Sequence, residues 1–317
     1  MNGNRAAAAG VQQAAKALDL RVSIAGVEWK NPITTASGTF SARESGAFYD
    51  ISRLGAVTTK GVAEVPWAGN PSPRIAETYG GMLNSVGLQN PGIDAYLNEE
   101  LPCLAGFDTK VIANVAGHSI EEYCAVVERL NESSVDMLEI NISCPNVKEG
   151  GIGFGVDPAQ AATVTKAVKA IAKKPVIIKL TPNVTDITAI AKAVEDAGAD
   201  AISLINTLLG MRIDARKGRL VLANKTGGFS GPAVKPVALR MVYQVRRAVK
   251  IPIIGLGGIS CGEDVAEFLM AGADAVAVGT AALTNPTAPV DILEEFKAYM
   301  QEMGFATVAD VKRAFRE

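Results

Sequence analysis

The chain has 317 residues, of which 48% are hydrophobic and 20% charged, and its 31 basic side chains nearly balance its 33 acidic ones for a net charge of −2. Such a composition supports a large buried core and leaves little room for extensive disorder. Without a basic block there is no electrostatic basis for nucleic-acid binding. No segment reaches the roughly 20 apolar residues of a membrane span. We therefore expect a cytoplasmic protein without nucleic-acid or membrane partners.

The chain has four cysteines, and none lies in a C-x-x-C pair. Neither an iron–sulfur ligand set nor a structural zinc site is therefore predicted, and reduced thiols are the simplest interpretation. Residues 1–19 are rich in alanine but lack the apolar segment of a signal peptide. They are predicted to form an N-terminal extension to a single domain over residues 20–317.

In chain order, the first predicted element is a hairpin over 20–32 that turns at Ala25-Gly26. Eight short apolar segments rich in Val, Ile and Ala follow, as is typical of β-strands. These strands are predicted at 32–37, 56–61, 110–117, 137–143, 175–180, 201–207, 252–258 and 275–281. Amphipathic helices are predicted between several of them, at 119–132, 157–174, 185–198 and 262–273.

Near-continuous apolar strands that alternate with helices indicate a parallel sheet covered on its faces. Eight such units predict an α/β fold, the (β/α)8 TIM barrel, with the N-terminal hairpin closing the N-terminal mouth. An open, doubly wound sheet is the alternative, although the G-x-G-x-x-G fingerprint after the first strand is missing. The connection 62–109 is predicted to be rich in loops, and its length favours a functional role.

Polar residues or glycines end all eight predicted strands. This matters because a barrel gathers its catalytic groups at the carboxyl ends of its strands. A single Asn in such a place is usually a turn former, and a single Lys is usually a surface residue. Eight such ends on one rim indicate a functional site instead. In chain order they are Ser37-Gly38, Lys60-Gly61, Asn114, Asn141 to Cys144, Lys179, Asn206-Thr207, Gly257-Gly258 and Gly279-Thr280.

The ends of the seventh and eighth strands predict a phosphate site. Glycine turns and helix N-termini bind phosphate through main-chain N–H groups, and barrels commonly hold a phosphate at these two strands. The glycine-rich segment 224–236 is expected to complete the site. The alternative is that these glycines only allow tight turns.

The single histidine, His118, excludes a multi-histidine metal site, and no metal site is predicted. We interpret His118 as a surface or helix-capping residue. The predicted rim then holds a cysteine, two lysines, several asparagines and a phosphate site. This set suits proton abstraction from carbon beside a bound cofactor, with Cys144 as the general base. The alternative for Cys144 is an inert buried thiol.

Five motifs resemble class 1 dihydroorotate dehydrogenases: NSVGLQNPG (84–92), NISCPN (141–146), INT (205–207), ANKTGGFSGPAVKP (223–236) and GLGGI (255–259). The resemblance runs from about Leu20 to the C-terminus and is greatest to the catalytic subunit of the NAD-dependent 1B type. It implies a flavoprotein oxidoreductase of de novo pyrimidine biosynthesis that oxidises (S)-dihydroorotate to orotate with FMN as the hydride acceptor. Electrons would pass to NAD⁺ through a partner subunit that carries FAD and a [2Fe–2S] cluster, in a heterotetramer built on a homodimer.

The resemblance also implies roles for individual residues. Cys144 would be the catalytic base that removes the C5 proton, and Lys179 would lie near the N1/O2 side of the flavin. The loop 147–155 would open for substrate entry and close to exclude water. Substrate contacts would come from Lys60, Asn84, Ser85, Val86, Gly87, Leu88, Asn141, Asn206 and Thr207. Flavin contacts would come from Ser37, Lys60, Gly61, Asn114, Asn141, Lys179, Ile205, Gly231, Gly257, Gly258, Gly279 and Thr280.

Three alternatives remain open at this point. The first is a homodimeric enzyme of the 1A type that reduces fumarate. The second is a cofactor-free lyase or isomerase in which Lys179 forms a Schiff base. The third is a ligand-binding barrel whose partner carries out the chemistry.

Overall fold

The computed structural model describes residues 17–144 and 152–316 of the chain and contains the predicted barrel. The strands in these ranges are β1 (Val22–Ile24), β2 (Val27–Trp29), β3 (Ile33–Thr35), β4 (Ala56–Thr58), β5 (Ile75–Thr78), β6 (Gly81–Asn84), β7 (Lys110–Val115), β8 (Met137–Asn141), β9 (Val176–Lys179), β10 (Ala201–Leu204), β11 (Leu208–Met211), β12 (Ile213–Asp214), β13 (Arg219–Leu220), β14 (Thr226–Ser230), β15 (Ile253–Leu256) and β16 (Ala275–Val278). All eight predicted strands are confirmed. They form one parallel sheet in the order β3-β16-β15-β10-β9-β8-β7-β4.

The helices pack around this sheet, and the four predicted ones are confirmed as α4, α6, α7 and α9. The α-helices of the described ranges are α1 (Ala42–Ser45), α2 (Ile93–Ala95), α3 (Leu101–Leu104), α4 (Ile120–Asn131), α5 (Ile152–Gly155), α6 (Pro158–Ile171), α7 (Ile187–Asp196), α8 (Lys235–Ala248), α9 (Gly262–Met270), α10 (Ala281–Thr284), α11 (Ala288–Glu302) and α12 (Val308–Arg313). Across the two described ranges, no helix combines the length and the apolar character needed to cross a membrane.

Side-chain caps explain where several helices begin. Asp157 accepts a hydrogen bond from the N–H of Gln160 at 2.8 Å at the start of α6. Ser119 accepts one from the N–H of Glu122 at the start of α4. The capping residue of α4 is therefore Ser119 and not His118. The half-buried His118 ring lies against the Trp67 ring, with 4.0 Å between the ring centroids.

The sheet closes between its first and last strands, β3 and β4, mainly through side chains. Asn31 Oδ1 accepts a hydrogen bond from the N–H of Gly55 at 3.0 Å. Thr35 Oγ1 accepts one from the N–H of Thr58 at 3.0 Å and donates to the Thr58 carbonyl at 3.2 Å. Because these bonds join the two ends of the sheet, the fold is a closed barrel and not the open, doubly wound alternative.

The predicted N-terminal hairpin is also confirmed, and it closes one end of the barrel. Strands β1 and β2 pair antiparallel on either side of Ala25 (φ 50°) and Gly26 (φ 82°). The side chains of Ile24 and Trp29 are fully buried. They pack against inward-facing residues of the barrel strands, such as Met137, and so form a dry apolar floor. This end of the barrel interior is thus filled mainly by apolar side chains.

The connection 62–109 is rich in loops, as predicted, but it also contains two strands that were not predicted. It contributes β5 and β6 to a four-stranded antiparallel sheet whose other strands, β14 and β11, come from the segment after β10. Asn84 pairs with Gly228 in this sheet. The strands β6, β11 and β14 contain glycine, which is depleted from most strands, and their sequences therefore do not indicate strands.

Candidate active site

The predicted strand-end residues lie together at the carboxyl end of the barrel. Since the eight strands are parallel and adjacent, their carboxyl ends share one rim. The side chains of strand β8 alternate between the two faces of the barrel wall. Leu138 and Ile140 pack outward in the large core beneath the helices, whereas Met137 packs inside the barrel. Glu139 therefore points into the barrel, one layer above the apolar floor.

Glu139 is the centre of a buried polar cluster that the sequence analysis did not identify. Its Oε1 accepts a hydrogen bond from Asn114 Nδ2 at 2.6 Å and lies 3.4 Å from Lys179 Nζ. Its Oε2 accepts a hydrogen bond from Ser203 Oγ at 2.7 Å. Lys179 Nζ also lies 3.4 Å from Ser37 Oγ. The structure therefore brings together the predicted residues Ser37, Asn114 and Lys179 around a carboxylate that was missed.

A chain of hydrogen bonds leads from this cluster to the rim. Asn141 Nδ2 donates to Asn114 Oδ1 at 3.4 Å, and Ser143 Oγ donates to Asn141 Oδ1 at 2.9 Å. Asn206 Nδ2 donates to Ser143 Oγ at 2.8 Å, and the N–H of Thr207 donates to Asn206 Oδ1 at 2.8 Å. The predicted residues Asn141, Asn206 and Thr207 thus belong to one connected network. Ser143, which belongs to the predicted strand end 141–144 but was given no role of its own, is a further member of this network.

Cys144 lies three residues after the end of β8 and is buried, with 5% of its surface exposed. Lys60, at the end of β4, lies within electrostatic range of its thiol. Burial lowers the pKa of the Lys60 ammonium below its ordinary value, an effect that negative charge on Cys144 opposes and that nearby Arg74 reinforces. In such an arrangement the lysine can bind an anion, and the nearby thiolate can accept a proton.

Lys60 also lines a cavity of about 430 Å³ at the rim. Phe40, Phe48, Tyr96 and Leu283 contribute aromatic and aliphatic side chains to its wall. Gly61 contributes main-chain atoms. A Cβ atom on Gly61 would lie only 2.8 Å from Asn114 Oδ1. The cavity wall is therefore packed directly against the buried polar cluster.

The antiparallel sheet carries the segment 84–88 to the same rim. Asn84 Nδ2 lies 3.5 Å from the carbonyl of Gly228, and a Cβ atom on Gly228 would collide with Thr207. Gly87 (φ 74°) and Leu88 (φ 52°) both have left-handed backbone conformations. Val86, between them and Asn84, accepts a hydrogen bond through its carbonyl from the N–H of Asn70. Asn84 and Thr207, both predicted to bind substrate, are thus neighbours.

Ser85 lies in the same segment, with its side chain turned inward. The side chain is fully buried, and its hydroxyl has no hydrogen-bond partner among the described residues. The carbonyl of Ser85 accepts a hydrogen bond from Asn70 Nδ2 at 3.0 Å. A substrate contact by Ser85 stays a prediction.

The predicted phosphate site has the geometry of a cradle formed by glycines after β15 and β16. Gly257 (φ 130°) and Gly258 (φ 81°) have backbone conformations that other residues rarely adopt. A Cβ atom on Gly257 would lie 3.3 Å from Cγ1 of the buried Ile205, and one on Gly279 would lie 3.3 Å from the Cβ of Ala36. Main-chain hydrogen bonds among the described residues involve none of the N–H groups of Gly258, Ile259, Gly279 and Thr280. These four donors remain for an anion.

Only one end of the segment 224–236 contributes to this cradle. Gly231 (φ 110°) lies against Gly258, and Thr280 Oγ1 donates to Ser230 Oγ at 2.8 Å. Gly227 and Gly228 instead lie in β14, against Asn84 and Thr207. The glycines of this segment therefore lie on both sides of the rim, and Gly231 is the one that adjoins the predicted phosphate site.

Two sequence expectations cannot be compared with the structure. Residues 145–151, which include Pro145, Asn146 and most of the loop 147–155, lie outside the described residues. The same is true of residues 1–16. Within the residues that the structure describes, no group of three or more His, Cys, Asp or Glu side chains could hold a metal ion.

Comparisons with known proteins identify the family of this chain. The family model described as dihydroorotate dehydrogenase matches residues 19–300. A relative from Alkaliphilus metalliredigens is 60% identical over 93% of this chain and 98% of its own, and one from Oceanobacillus iheyensis is 54% identical over 93% and 97%. Both carry the name dihydroorotate dehydrogenase B (NAD(+)), catalytic subunit.

A solved structure shows the same fold. The dihydroorotate dehydrogenase of Eimeria tenella, crystallised with ferulenol, superposes with a TM-score of 0.77 at 22% identity, over 92% of this chain and 87% of that one. The likeness confirms the TIM barrel. With the family model covering most of the chain and relatives at 54–60% identity, the chain belongs to the dihydroorotate dehydrogenase family.

Proposed function

We propose that this chain oxidises (S)-dihydroorotate to orotate in pyrimidine biosynthesis, as the catalytic subunit of an NAD⁺-dependent dihydroorotate dehydrogenase. One observation carries the proposal: 54–60% identity along 92–93% of the chain with relatives of that name. The positions of Cys144 and Lys60, just past the carboxyl ends of the barrel strands β8 and β4, support it.

The residues at the rim fit FMN. The four N–H donors after β15 and β16 suit its phosphate, and Gly61, Asn114 and Lys179 lie on the opposite side of the rim, where they would hold its ring. Bound there, FMN would supply the two-electron acceptor for the hydrogen at C6 of the substrate.

The remaining chemistry belongs to side chains of this chain. Cys144 Sγ would take the proton from C5 of dihydroorotate, so that the C5–C6 double bond forms as the C6 hydrogen leaves. Lys60 would bind the substrate carboxylate. Asn84, Asn141 and Asn206, with Thr207, would hold the ring amides, because each amide side chain offers both a donor and an acceptor.

The structure disfavours the alternative in which Lys179 forms a Schiff base. Such a lysine must be neutral to attack a carbonyl. Lys179 is 4% exposed and its ammonium lies 3.4 Å from the carboxylate of Glu139. Its nitrogen is therefore enclosed and engaged by an ion-pair partner, which leaves no approach for a carbonyl carbon. Lys179 is better suited to stabilising negative charge on the flavin ring.

We further propose that the barrel domain spans 20–317 and that a partner subunit holds FAD and a [2Fe–2S] cluster. The assembly would be a heterotetramer with two copies of this chain at its centre. Leu209, Met211 and Ile213 are about half exposed and follow one another on β11 and β12. Such a run of exposed apolar side chains suits burial against the second copy.

Purification with and without the partner tests the proposal. We expect a yellow protein whose FMN absorbance is bleached by dihydroorotate, with NADH formed only when the iron–sulfur flavoprotein is present. Fumarate reduction by the chain alone would instead identify the homodimeric 1A type. A chain that binds no flavin would overturn the proposal.

A further inference from the structure

The loop between β15 and α9 has main-chain donors that divide into two pairs. No main-chain carbonyl among the described residues accepts from the N–H groups of Gly258 and Ile259. The N–H groups of Ser260 and Cys261 both donate to Oδ2 of Asp264, at 2.7 and 3.2 Å. The hydroxyl of Ser260 donates to the same oxygen at 3.0 Å. One carboxylate thus takes the second pair of N–H groups and leaves the first pair for a ligand.

The other oxygen of this carboxylate ties the loop to a neighbouring helix. Asp264 Oδ1 accepts from Lys235 Nζ at 2.6 Å, and Lys235 is the first residue of α8. The carbonyl oxygen of Gly231, just before α8, would lie 3.0 Å from a Cβ atom on Gly258. Asp264 therefore fixes the loop after β15 against the segment after β14, and these are two sides of the predicted phosphate cradle.

A helix cap alone does not need this arrangement. Asp310, the third residue of α12, has the ordinary form, because its Oδ2 accepts from the N–H groups of Ala306 and Thr307. Its Oδ1 accepts from Arg313 of the same helix. Asp264 is also the third residue of its helix, but it is only 4% exposed and its cation belongs to another helix. Burial of a charge is costly, and it indicates a role beyond capping.

We propose that Asp264 is the positioning residue of the phosphate cradle and makes the site prefer a flavin that ends in a phosphate monoester. By holding the N–H groups of Ser260 and Cys261, it leaves those of Gly258 and Ile259 to face the phosphate oxygens. The ammonium of Lys235 offsets the charge of the carboxylate, so that the phosphate is not repelled. This inference rests on the proposed function, because the phosphate would be that of FMN.

Asp264→Ala tests the proposal through two flavins that share one ring system. FMN carries the phosphate and riboflavin does not, so the ratio of their Kd values reports on the cradle and not on the ring site. We expect the Kd of FMN for the flavin-free variant to rise about tenfold or more, since two N–H groups lose their acceptor and the loop is no longer fixed. The Kd of riboflavin should stay close to wild type. Quenching of flavin fluorescence measures both.

Asp310→Ala is the matched control. It removes an equivalent set of hydrogen bonds at the start of α12, so both Kd values should stay close to wild type. A residue that only stabilised the fold would raise both Kd values together or change neither. Either of these results in Asp264→Ala would overturn the inference and leave the proposed function standing.

Asp264→Asn replaces the Ala variant if that protein does not fold. Asparagine has one acceptor oxygen and one NH₂ group, so it can accept from the loop or from Lys235 but not from both. The Kd of FMN should rise while that of riboflavin does not, and an unchanged ratio would sink the positioning role. Failure of the wild-type chain to bind FMN would instead refute the proposed function.

Discussion

Gly258 lies so close to Lys235 that a Cβ atom on the glycine would be 2.8 Å from both the main-chain nitrogen and the Cβ of Lys235. Lys235 cannot move away easily, because its ammonium forms ion pairs with Asp264 at 2.6 Å and Glu267 at 3.0 Å. The backbone of Gly258 is also left-handed, with φ 81°. The glycine after β15 is thus held by packing as well as by conformation.

Gly258→Ala should therefore displace the predicted phosphate cradle and weaken FMN binding by about tenfold or more, since anchoring N–H groups move. FMN retained after gel filtration measures this. Gly218→Ala is the control, because Gly218 is also left-handed (φ 61°) but a Cβ atom there meets nothing within 4 Å. Stoichiometric FMN in the Gly258 variant would show that the phosphate is held elsewhere.

Replacement of Cys144 by serine should slow flavin reduction by dihydroorotate roughly a hundredfold or more near neutral pH, the usual contribution of a general base. A hydroxyl is a far weaker acid than a thiol and rarely offers the ionised base. Stopped-flow absorbance of the flavin measures the step directly, apart from electron transfer to the partner. Cys124→Ser is the control, since Cys124 is a partly exposed thiol on the outer helix α4 and does not belong to the hydrogen-bond network at the rim. Equal rates in wild type and the Cys144 variant would contradict the assignment.

Orotate affinity should depend on pH through Lys60. Burial lowers the pKa of its ammonium below the ordinary 10.5, so Lys60 loses its charge at a lower pH than an exposed lysine does. The bound carboxylate needs that charge, and affinity should therefore be constant below this pKa and fall as the pH rises through it. Orotate affinity is measured against pH in the Cys144→Ser protein, so that ionisation of the Cys144 thiol does not contribute to the profile.

Lys60→Arg separates the lysine from other titrating groups, including those of the ligand. Arginine keeps its charge to above pH 12 or so. The fall in affinity that belongs to Lys60 should disappear in this variant, whereas Lys60→Gln should bind orotate weakly throughout. The same decline in wild type and the Arg variant would assign the titration to another group.

The barrel itself could be predicted from the sequence, because its strands are buried on both sides and read as continuous apolar segments. The start of α6 was also predicted well, because Asp157, the first residue of the predicted helix 157–174, caps it through a local hydrogen bond. Glu139 and Ser203 were missed because they interrupt apolar strands only once each. The contact between Glu139 and Ser203 forms across the barrel interior, and the order of residues along the chain does not reveal it. A charged residue in the middle of a buried strand, with a lysine in the next strand, is the signal that could have identified them.

The final prediction concerns the closure of the barrel between β3 and β4. Thr35→Val removes the side-chain oxygen that accepts from the N–H of Thr58, a donor buried in the barrel wall. Leaving such a group unsatisfied costs about 1–3 kcal/mol, and valine matches threonine in shape. Urea unfolding at saturating FMN should therefore show a loss of that size. Thr165→Val in α6 is the control, since Thr165 is as buried but its hydroxyl only donates to the helical carbonyl of Ala161. Equal losses in the two variants would mean that the hydrogen bond between Thr35 and Thr58 contributes no more to stability than any buried hydroxyl does.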